Sequence, residues 1–440
     1  MFRRLAVFAG GCTLEAAEAV CGVGGDGPEE RDVLEGLASL VDNSKLLSTS
    51  EASAVQEDEQ PRFTMLETIR EYAAERLASS GEAEEAQRKH ALYYLALAEA
   101  AQPEASGRPD GVVWWSLFLG RLEEEYDNLR AALGWAVQNR ELETGARLAI
   151  ALWRLWSESR HTSEGRRWME AVLALDASES RTGEAPHGLP ARTRAYLLQI
   201  AGILAMAQGD HDRAGALHEE AMVVYRDLGH KKGVGASLRE LGFVAYERGD
   251  YERAVRLHER SLALAREFGT TFSIARSLRA LADAVRGQGD LGRATALLEE
   301  GLALSRGLEN AWGIVRALAS LASVTCESGE YTRANRLYEE SLDLGRRVGF
   351  KHTILPCLEG LARVAAAQGR MERTARLSGA AAALREEAGW PLPPAKRAGH
   401  DRTVTAARAV LGEDAFTAAW AKGHALPLEE AIRDTLGDGV

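Results

Sequence analysis

Small and apolar residues recur along this chain with a fixed period of forty residues. A glycine followed by a polar residue opens each recurrence, at Gly209, Gly249, Gly289, Gly329 and Gly369. A leucine follows eight residues after each of these glycines, at Leu217, Leu257, Leu297, Leu337 and Leu377. A constant period of this length predicts stacked helix-turn-helix units, and therefore an all-α superhelix.

The unit at residues 231–270 shows how one repeat is built. Its first helix, helix A, carries apolar or small residues at helical spacing: Val234, Leu238, Leu241, Gly242 and Ala245. We expect Gly249 to end helix A in the left-handed conformation and Asp250 to cap helix B. The Gly-Asp-Tyr-x-x-Ala turn resembles that of the tetratricopeptide repeat, whose usual unit has about 34 residues. HEAT and armadillo units approach forty residues but lack this turn.

Residues 1–77 do not repeat, and their pattern predicts a winged-helix-like domain. Thr13 and Asp32 are placed to cap the second and third predicted helices. The predicted elements are helices Phe2–Phe8, Leu14–Val20 and Val33–Val41, strands Lys45–Ser48 and Arg62–Leu66 around a polar loop at Thr49–Pro61, and helix Glu67–Leu77.

Four further segments complete the predicted organisation. Residues 78–176 are helical without the forty-residue pattern, and Pro103–Gly111 interrupts them. Residues 177–190 are polar and rich in turn-forming residues, which is typical of a linker. Residues 191–390 hold the five tetratricopeptide-like repeats, and residues 391–440 are expected to form a C-terminal helical cap over the last repeat.

Charge and composition narrow the classes of function. The net charge is −12, which disfavours sequence-independent binding to nucleic acid or to an anionic membrane. The four cysteines are scattered, as expected of a reduced, cytoplasmic protein. No apolar run reaches the roughly 18 residues of a membrane span.

Several stretches resemble one bacterial family along most of the chain. They include Leu66-Glu-Thr-Ile-Arg-Glu-Tyr72 and Glu125-Tyr-Asp-Asn-Leu-Arg-Ala-Ala-Leu133. They resemble the C-terminal winged-helix and tetratricopeptide region of predicted ATPases, the signal-transduction ATPases with numerous domains, which include LuxR-type and antibiotic-regulatory transcriptional regulators. The resemblance implies a nucleotide-binding domain before the winged helix and, in many members, a DNA-binding domain at one end.

This sequence departs from that family pattern in two respects. It contains no G-x-x-x-x-G-K-[ST] phosphate loop, so we expect neither ATP binding nor any other cofactor. It also lacks a recognisable LuxR-type helix-turn-helix at its C-terminal end. We therefore expect either a fragment of a larger regulator or a short paralogue that works beside a nucleotide-binding partner.

No catalytic or metal-binding arrangement emerges from the sequence. His218 and His258 occupy equivalent helix B positions one repeat apart, and repeat structure explains this better than a shared ligand. Paired acids recur at one repeat position and are interpreted as a solvated face rather than acid/base catalysts: Glu219-Glu220, Glu299-Glu300 and Glu339-Glu340.

One face of the repeats is rich in arginine although the chain is acidic overall. The tetratricopeptide resemblance places helix A on the inner groove, which here would include Arg239, Phe243, Tyr246, Arg276, Arg279, Arg286 and Arg316. Guanidinium groups bind carboxylates and phosphates through paired hydrogen bonds, so we predict an acidic peptide, protein or other anionic ligand here. The competing interpretation is that Glu240, Glu247 and Asp283 pair with these arginines on a solvated face.

The sequence is compatible with two functions. The first is a non-enzymatic module that binds a protein, a peptide or a small inducer in the repeat groove and passes a signal to a nucleotide-binding regulator. The alternative is a DNA-binding winged-helix transcriptional regulator. Residues 1–90 hold nine basic against eighteen acidic side chains, and residues 51–60 of the expected wing hold four acids and no base. Because a wing that meets phosphate should be basic, direct DNA binding is the less favoured function.

Overall fold

The computed structural model describes residues 1–22, 30–43, 45–48, 61–101, 120–158, 161–182, 188–349, 351–390, 392 and 394–437. The chain divides into two compact units. The first contains Met1–Pro109, Leu117–Leu155 and Trp168–Leu189, and the second contains Asp110–Ser116, Trp156–Arg167 and Pro190–Val440. Helices dominate both units, as the all-α prediction requires. None of the described helices combines the length and apolar character needed to cross a bilayer.

A winged helix opens the first unit. Its elements are a 3-10 helix Arg4–Val7, β1 Cys12–Thr13, α1 Leu14–Cys21, α2 Glu30–Asp42, β2 Leu46–Ser48, β3 Arg62–Met65 and α3 Glu67–Ala78. The three strands form an antiparallel sheet in the order β1-β3-β2. Strand side chains alternate between the two faces, so Leu46 is buried while Leu47 is 53% exposed.

The details of this domain confirm some sequence predictions and correct others. Thr13 caps α1 as predicted, because its hydroxyl accepts a hydrogen bond from the Ala16 amide at 3.2 Å. Asp32 does not cap α2, since that helix already begins at Glu30. The short strand β1 was missed. Of the predicted wing loop, residues 49–60 lie outside the described part of the chain.

Further helices follow the winged helix along the chain. Residues 120–124 are helical, and the complete helices are α4 Ala83–Ala100, α5 Tyr126–Gln138, α6 Leu142–Glu158 and α7 Thr162–Thr182. The predicted break at Pro103–Gly111 falls outside the described residues. The first residues of the predicted linker, 177–182, instead belong to α7. Asp176 is buried and its carboxylate accepts a hydrogen bond from the Leu189 amide at 2.8 Å, whereas residues 183–187 are not described.

A buried polar network holds the winged helix against α4 and α5. It is built on Glu125 and Asn128, from the stretch that carried the family resemblance. The Glu125 carboxylate accepts hydrogen bonds from Arg62, from the Tyr94 hydroxyl at 3.0 Å and from the Asn128 amide at 2.9 Å. Asn128 also donates to the Gly11 carbonyl at 2.9 Å. Because nearly all of these groups are buried, each partner satisfies a donor or acceptor that water cannot reach.

Five helical pairs form most of the second unit. Their A helices are α8 Ala191–Ala207, α10 Lys231–Glu247, α12 Thr271–Gly287, α14 Ala311–Glu327 and α16 Lys351–Ala367. The B helices are α9 His211–Asp227, α11 Tyr251–Phe268, α13 Leu291–Gly307, α15 Tyr331–Val348 and α17 Met371–Ala388. Three helices follow the array: α18 Pro394–Leu411, α19 Glu413–His424 and α20 Leu428–Gly437. The repeat prediction and the expectation of terminal helices thus correspond to observed elements.

The turn inside each repeat has the geometry predicted from its glycine. Gly249 has a φ of 77°, in the left-handed region where a side chain would be strained. The Asp250 carboxylate then accepts a hydrogen bond from the Arg253 amide at 3.0 Å and caps α11. Asp210 and Asp290 cap their helices in the same way. Glu330 and Arg370, which replace the aspartate in the last two repeats, make no such bond.

Candidate binding face of the repeat array

The A helices of successive repeats pack directly against one another, so their outward side chains form one continuous surface, the A face. Helix α10 contacts α12, α12 contacts α14, and α14 contacts α16. On α12, Arg276, Arg279, Asp283 and Arg286 follow one another at i, i+3, i+7 and i+10. This spacing places all four on the same side of the helix.

Arg239 and Arg276 share one carboxylate at the N-terminal part of the A face. A guanidinium nitrogen of Arg239 lies 2.8 Å from Glu240 Oε1, and one of Arg276 lies 4.0 Å from the same oxygen. Burial alone would raise the pKa of Glu240, but the two guanidinium groups lower it. Burial and the nearby charge of Arg239 lower the pKa of Arg276.

Aromatic rings flank Arg276. Its guanidinium carbon lies 5.6 Å from the Phe272 ring centroid and 5.5 Å from that of Trp312. Arg316 lies over the same Trp312 ring at 4.8 Å. Cation–π contacts hold a guanidinium in place without using its hydrogen-bond donors. The Arg276 side chain is 32% exposed, and its Nε has no hydrogen-bond partner among the described residues.

A second pair of arginines shares Glu327 near the C-terminal ends of the A helices. The Glu327 Oε1 atom lies 2.9 Å from Arg286 Nη1 and 3.8 Å from Arg363 Nη1. The Tyr246 hydroxyl accepts a hydrogen bond from Arg286 at 3.0 Å, and the Tyr338 hydroxyl accepts one from Arg363 at 2.9 Å. Four A helices and one B helix thus contribute to this cluster.

The middle of the A face is electrically balanced. Arg279 donates a hydrogen bond to Asp283 at 2.8 Å, one helical turn away. Its guanidinium also lies 5.7 Å from the Phe243 ring centroid. Phe243 in turn packs edge-on against the buried ring of His258, with centroids 5.2 Å apart. This region therefore offers little net charge to a ligand.

The seven residues predicted for the groove lie on three successive A helices, and Arg239 and Arg279 among them are buried. Arg239, Phe243 and Tyr246 come from α10, Arg276, Arg279 and Arg286 from α12, and Arg316 from α14. Glu240 and Asp283, two of the three acids named by the competing interpretation, do pair with these arginines. Binding of a ligand by these residues remains a prediction.

Sequence reasoning missed four members of the A face: Phe272, Trp312, Glu327 and Arg363. The forty-residue period could have found some of them. Phe272 and Trp312 are equivalent positions of adjacent repeats, and Arg363 is equivalent to Phe243 and Asp283.

The two histidines and the paired acids singled out in the sequence lie on the B helices. His218 and His258 are buried, with their ring nitrogens unpartnered among the described residues. All of the paired acids except the half-buried Glu339 lie on exposed positions of the B helices, where Glu299 pairs with Arg333 of the next repeat at 3.1 Å. Exposed pairs of this kind contribute little to stability. Within the described residues, no group of histidines, cysteines and acids is arranged to hold a metal ion.

Comparison with protein families identifies the two modules. Residues 1–78 match a winged helix-turn-helix domain family. Residues 192–267 and 234–307 match one tetratricopeptide repeat family, and residues 315–348 match another. The chain joins a winged helix-turn-helix domain to a tetratricopeptide array. The winged-helix and tetratricopeptide organisation that the resemblance implied is thereby confirmed.

Similar proteins include "Putative HTH-type transcriptional regulator Rv0890c" of Mycobacterium tuberculosis (strain ATCC 25618 / H37Rv) and "Putative HTH-type transcriptional regulator Mb0914c" of Mycobacterium bovis. Each is 35% identical to this tetratricopeptide protein over 173 residues, which is 39% of this chain. The aligned segment spans only 18% of the length of these relatives.

Two solved structures resemble the chain at low sequence identity. One is a signal transduction ATPase with numerous domains from Pyrococcus horikoshii that has a tetratricopeptide repeat sensor. It has 13% identity and a TM-score of 0.46, and the match covers 99% of this chain and 65% of that one. The other is a Rap protein complexed with Competence and Sporulation Factor, with 11% identity, a TM-score of 0.48, and coverage of 84% and 93%.

Proposed function

We propose that this chain is a non-enzymatic sensing module of a bacterial transcriptional or signalling regulator, and that its A face binds an acidic peptide or protein segment. The observation that carries the proposal is Arg276, a part-exposed guanidinium that shares Glu240 with Arg239. Tetratricopeptide arrays are extended binding surfaces, which suits a protein partner.

The electrostatics around Arg276 favour an incoming carboxylate. Two guanidinium groups face one internal carboxylate, so a single positive charge is left over at this point of the face. A ligand carboxylate would form charge-assisted hydrogen bonds to donors that are already held by aromatic rings. Each hydrogen bond to a charged group contributes about 1.5–3 kcal/mol, which corresponds to roughly ten- to 150-fold in affinity.

A peptide selection tests this function on the full chain. Random twelve-residue peptides displayed on phage would be selected against the immobilised protein, and the selected peptides would be titrated against variants. We expect enrichment in aspartate and glutamate, and binding at least tenfold weaker to Arg276→Ala. Arg293→Ala is the matched control, because Arg293 pairs with Glu259 at 2.7 Å on the B helices, away from the A face. Equal affinity for both variants, or no selected peptide, would overturn the proposal.

DNA binding through the winged helix is the second candidate. The family match at residues 1–78 and the names of the relatives favour it. Its charge opposes it, because α2, which follows α1 in the helix-turn-helix, contains four acids and one arginine. A gel-shift assay at low salt separates the two functions: we expect no shift of random-sequence duplex DNA, and a salt-sensitive shift would favour the second candidate.

A further inference from the structure

The two arginine pairs of the A face lie toward opposite ends of α12. Arg276 belongs to the pair on Glu240, and Arg286 belongs to the pair on Glu327. The step of ten positions from one to the other corresponds to about 15 Å along an α-helix. The face therefore offers two arginine anchors at a separation set by one rigid helix.

Each anchor sets two guanidinium groups against one carboxylate, and the second anchor also donates hydrogen bonds to the Tyr246 and Tyr338 hydroxyls. The Arg279–Asp283 pair between them is internally neutral. An anion is thus attracted at the two ends of α12 and not at its centre. With Arg279 paired to Asp283 and lying over the Phe243 ring, the centre carries no net charge that would hold or repel a ligand backbone.

We infer that the ligand is an extended peptide segment with two acidic side chains four to six positions apart, one bound at Arg276 and the other at Arg286 and Arg363. This inference rests on the proposed function and names its ligand. An extended chain advances at most about 3.3–3.6 Å per residue, so four to five steps cross 15 Å. A bound helix is less suitable, since helix recognition uses a continuous apolar groove and the A face is polar between its anchors.

Synthetic peptides test the spacing directly. The probes are fluorescein-labelled twelve-residue peptides of alanine, serine and glutamine that carry two glutamates separated by one to ten positions. Fluorescence anisotropy with the full chain would measure their affinities. We expect the tightest binding at four to six positions, at least tenfold tighter than for adjacent glutamates or a single glutamate.

Variants assign each glutamate to its anchor. We expect Arg276→Ala and Arg363→Ala each to abolish the dependence on spacing, so that the two-glutamate peptides bind like the one-glutamate peptide. Arg286→Ala should have the same effect. Should that variant fail to fold, Arg286→Lys keeps the charge beside Tyr246 and Glu327 but has fewer donors, and it should weaken the dependence on spacing. Arg293→Ala should keep the wild-type dependence on spacing. Circular dichroism would confirm the helical content of every variant.

The outcomes separate this inference from the proposed function. If the peptides require Arg276 but bind equally at every spacing, the two-anchor inference fails and the proposed function stands. An optimum near ten positions would indicate a helical ligand and would also overturn the inference. The two-anchor inference also fails if the glutamate probes do not bind, while phage-selected peptides that lack acids at this spacing do bind. If neither kind of peptide binds, both proposals fail.

Discussion

Replacing Gly242 by alanine should destabilise the second repeat, because the added methyl group would collide with His258. A Cβ atom at this position would lie 2.4 Å from the His258 Cε1 atom and 2.6 Å from its Nδ1 atom. The His258 ring is 1% exposed and packs against Phe243, so it has little room to move. Helix α10 can approach α11 this closely only because Gly242 has no side chain.

Two effects of opposite sign set the magnitude. Overpacking a core by one methyl group costs about 1–3 kcal/mol. Alanine favours the helix over glycine by about 1 kcal/mol or less, which offsets part of that cost. We therefore expect Gly242→Ala to lower the free energy of unfolding by about 1–2 kcal/mol. For a unit of this size, that corresponds to a fall in Tm of roughly 2–8 °C.

The third repeat supplies a compensating change. Ala282 and Leu298 stand where the second repeat has Gly242 and His258, and both are fully buried. The double variant Gly242→Ala with His258→Leu copies this pair and should recover most of the lost stability. Since the two residues are in contact, their effects should be non-additive by at least about 1 kcal/mol.

Thermal and urea unfolding of the full chain, followed by circular dichroism, would measure these effects. Gly215→Ala is the matched control, because a Cβ atom there would make only an ordinary 3.8 Å contact with Val244. It should be neutral or slightly stabilising. The packing argument would be refuted if Gly242→Ala were as stable as Gly215→Ala, or if the double variant showed simple additivity.

Two further predictions concern buried polar groups. Burial lowers the pKa of His258 to about 4. Between pH 6.5 and 4, the unfolded chain therefore binds a proton at this histidine that the folded chain does not. The free energy of unfolding should decrease as the pH is lowered through this range, by up to about 1.4 kcal/mol per pH unit. His258→Leu should lose less stability than wild type between pH 7 and pH 5 in urea unfolding, and an unchanged pH dependence would contradict this. Glu125→Gln should cost about 3 kcal/mol, because it leaves the Arg62 guanidinium without its carboxylate. Arg70→Ala, which breaks an exposed pair, should shift the Tm far less.

The repeat array could be predicted in detail because its signals are local. Each glycine of the turn needs a positive φ, and each following aspartate bonds to an amide three residues later, so both can be identified within a few residues of sequence. The strand β1 could not be identified in this way. It has only two residues, and its existence depends on pairing with Phe63, about fifty positions away. The start of α2 was misjudged because Glu30, Arg31 and Asp32 are all acceptable in a first helical turn.

The candidate binding face was only half predictable, for a related reason. The four positions on α12 follow from helical spacing alone, but the acidic partners of Arg276 and Arg286 come from the neighbouring repeats. Arg276 lies 36 residues after Glu240, and Arg363 lies 36 residues after Glu327. This interval is one repeat less one helical turn, which brings an arginine beside a glutamate on the preceding A helix. Glu327 and Arg363 are therefore related by the same sequence interval as Glu240 and Arg276. The relevant spacing is 36 residues and not forty, because adjacent A helices contact each other with an offset of one helical turn.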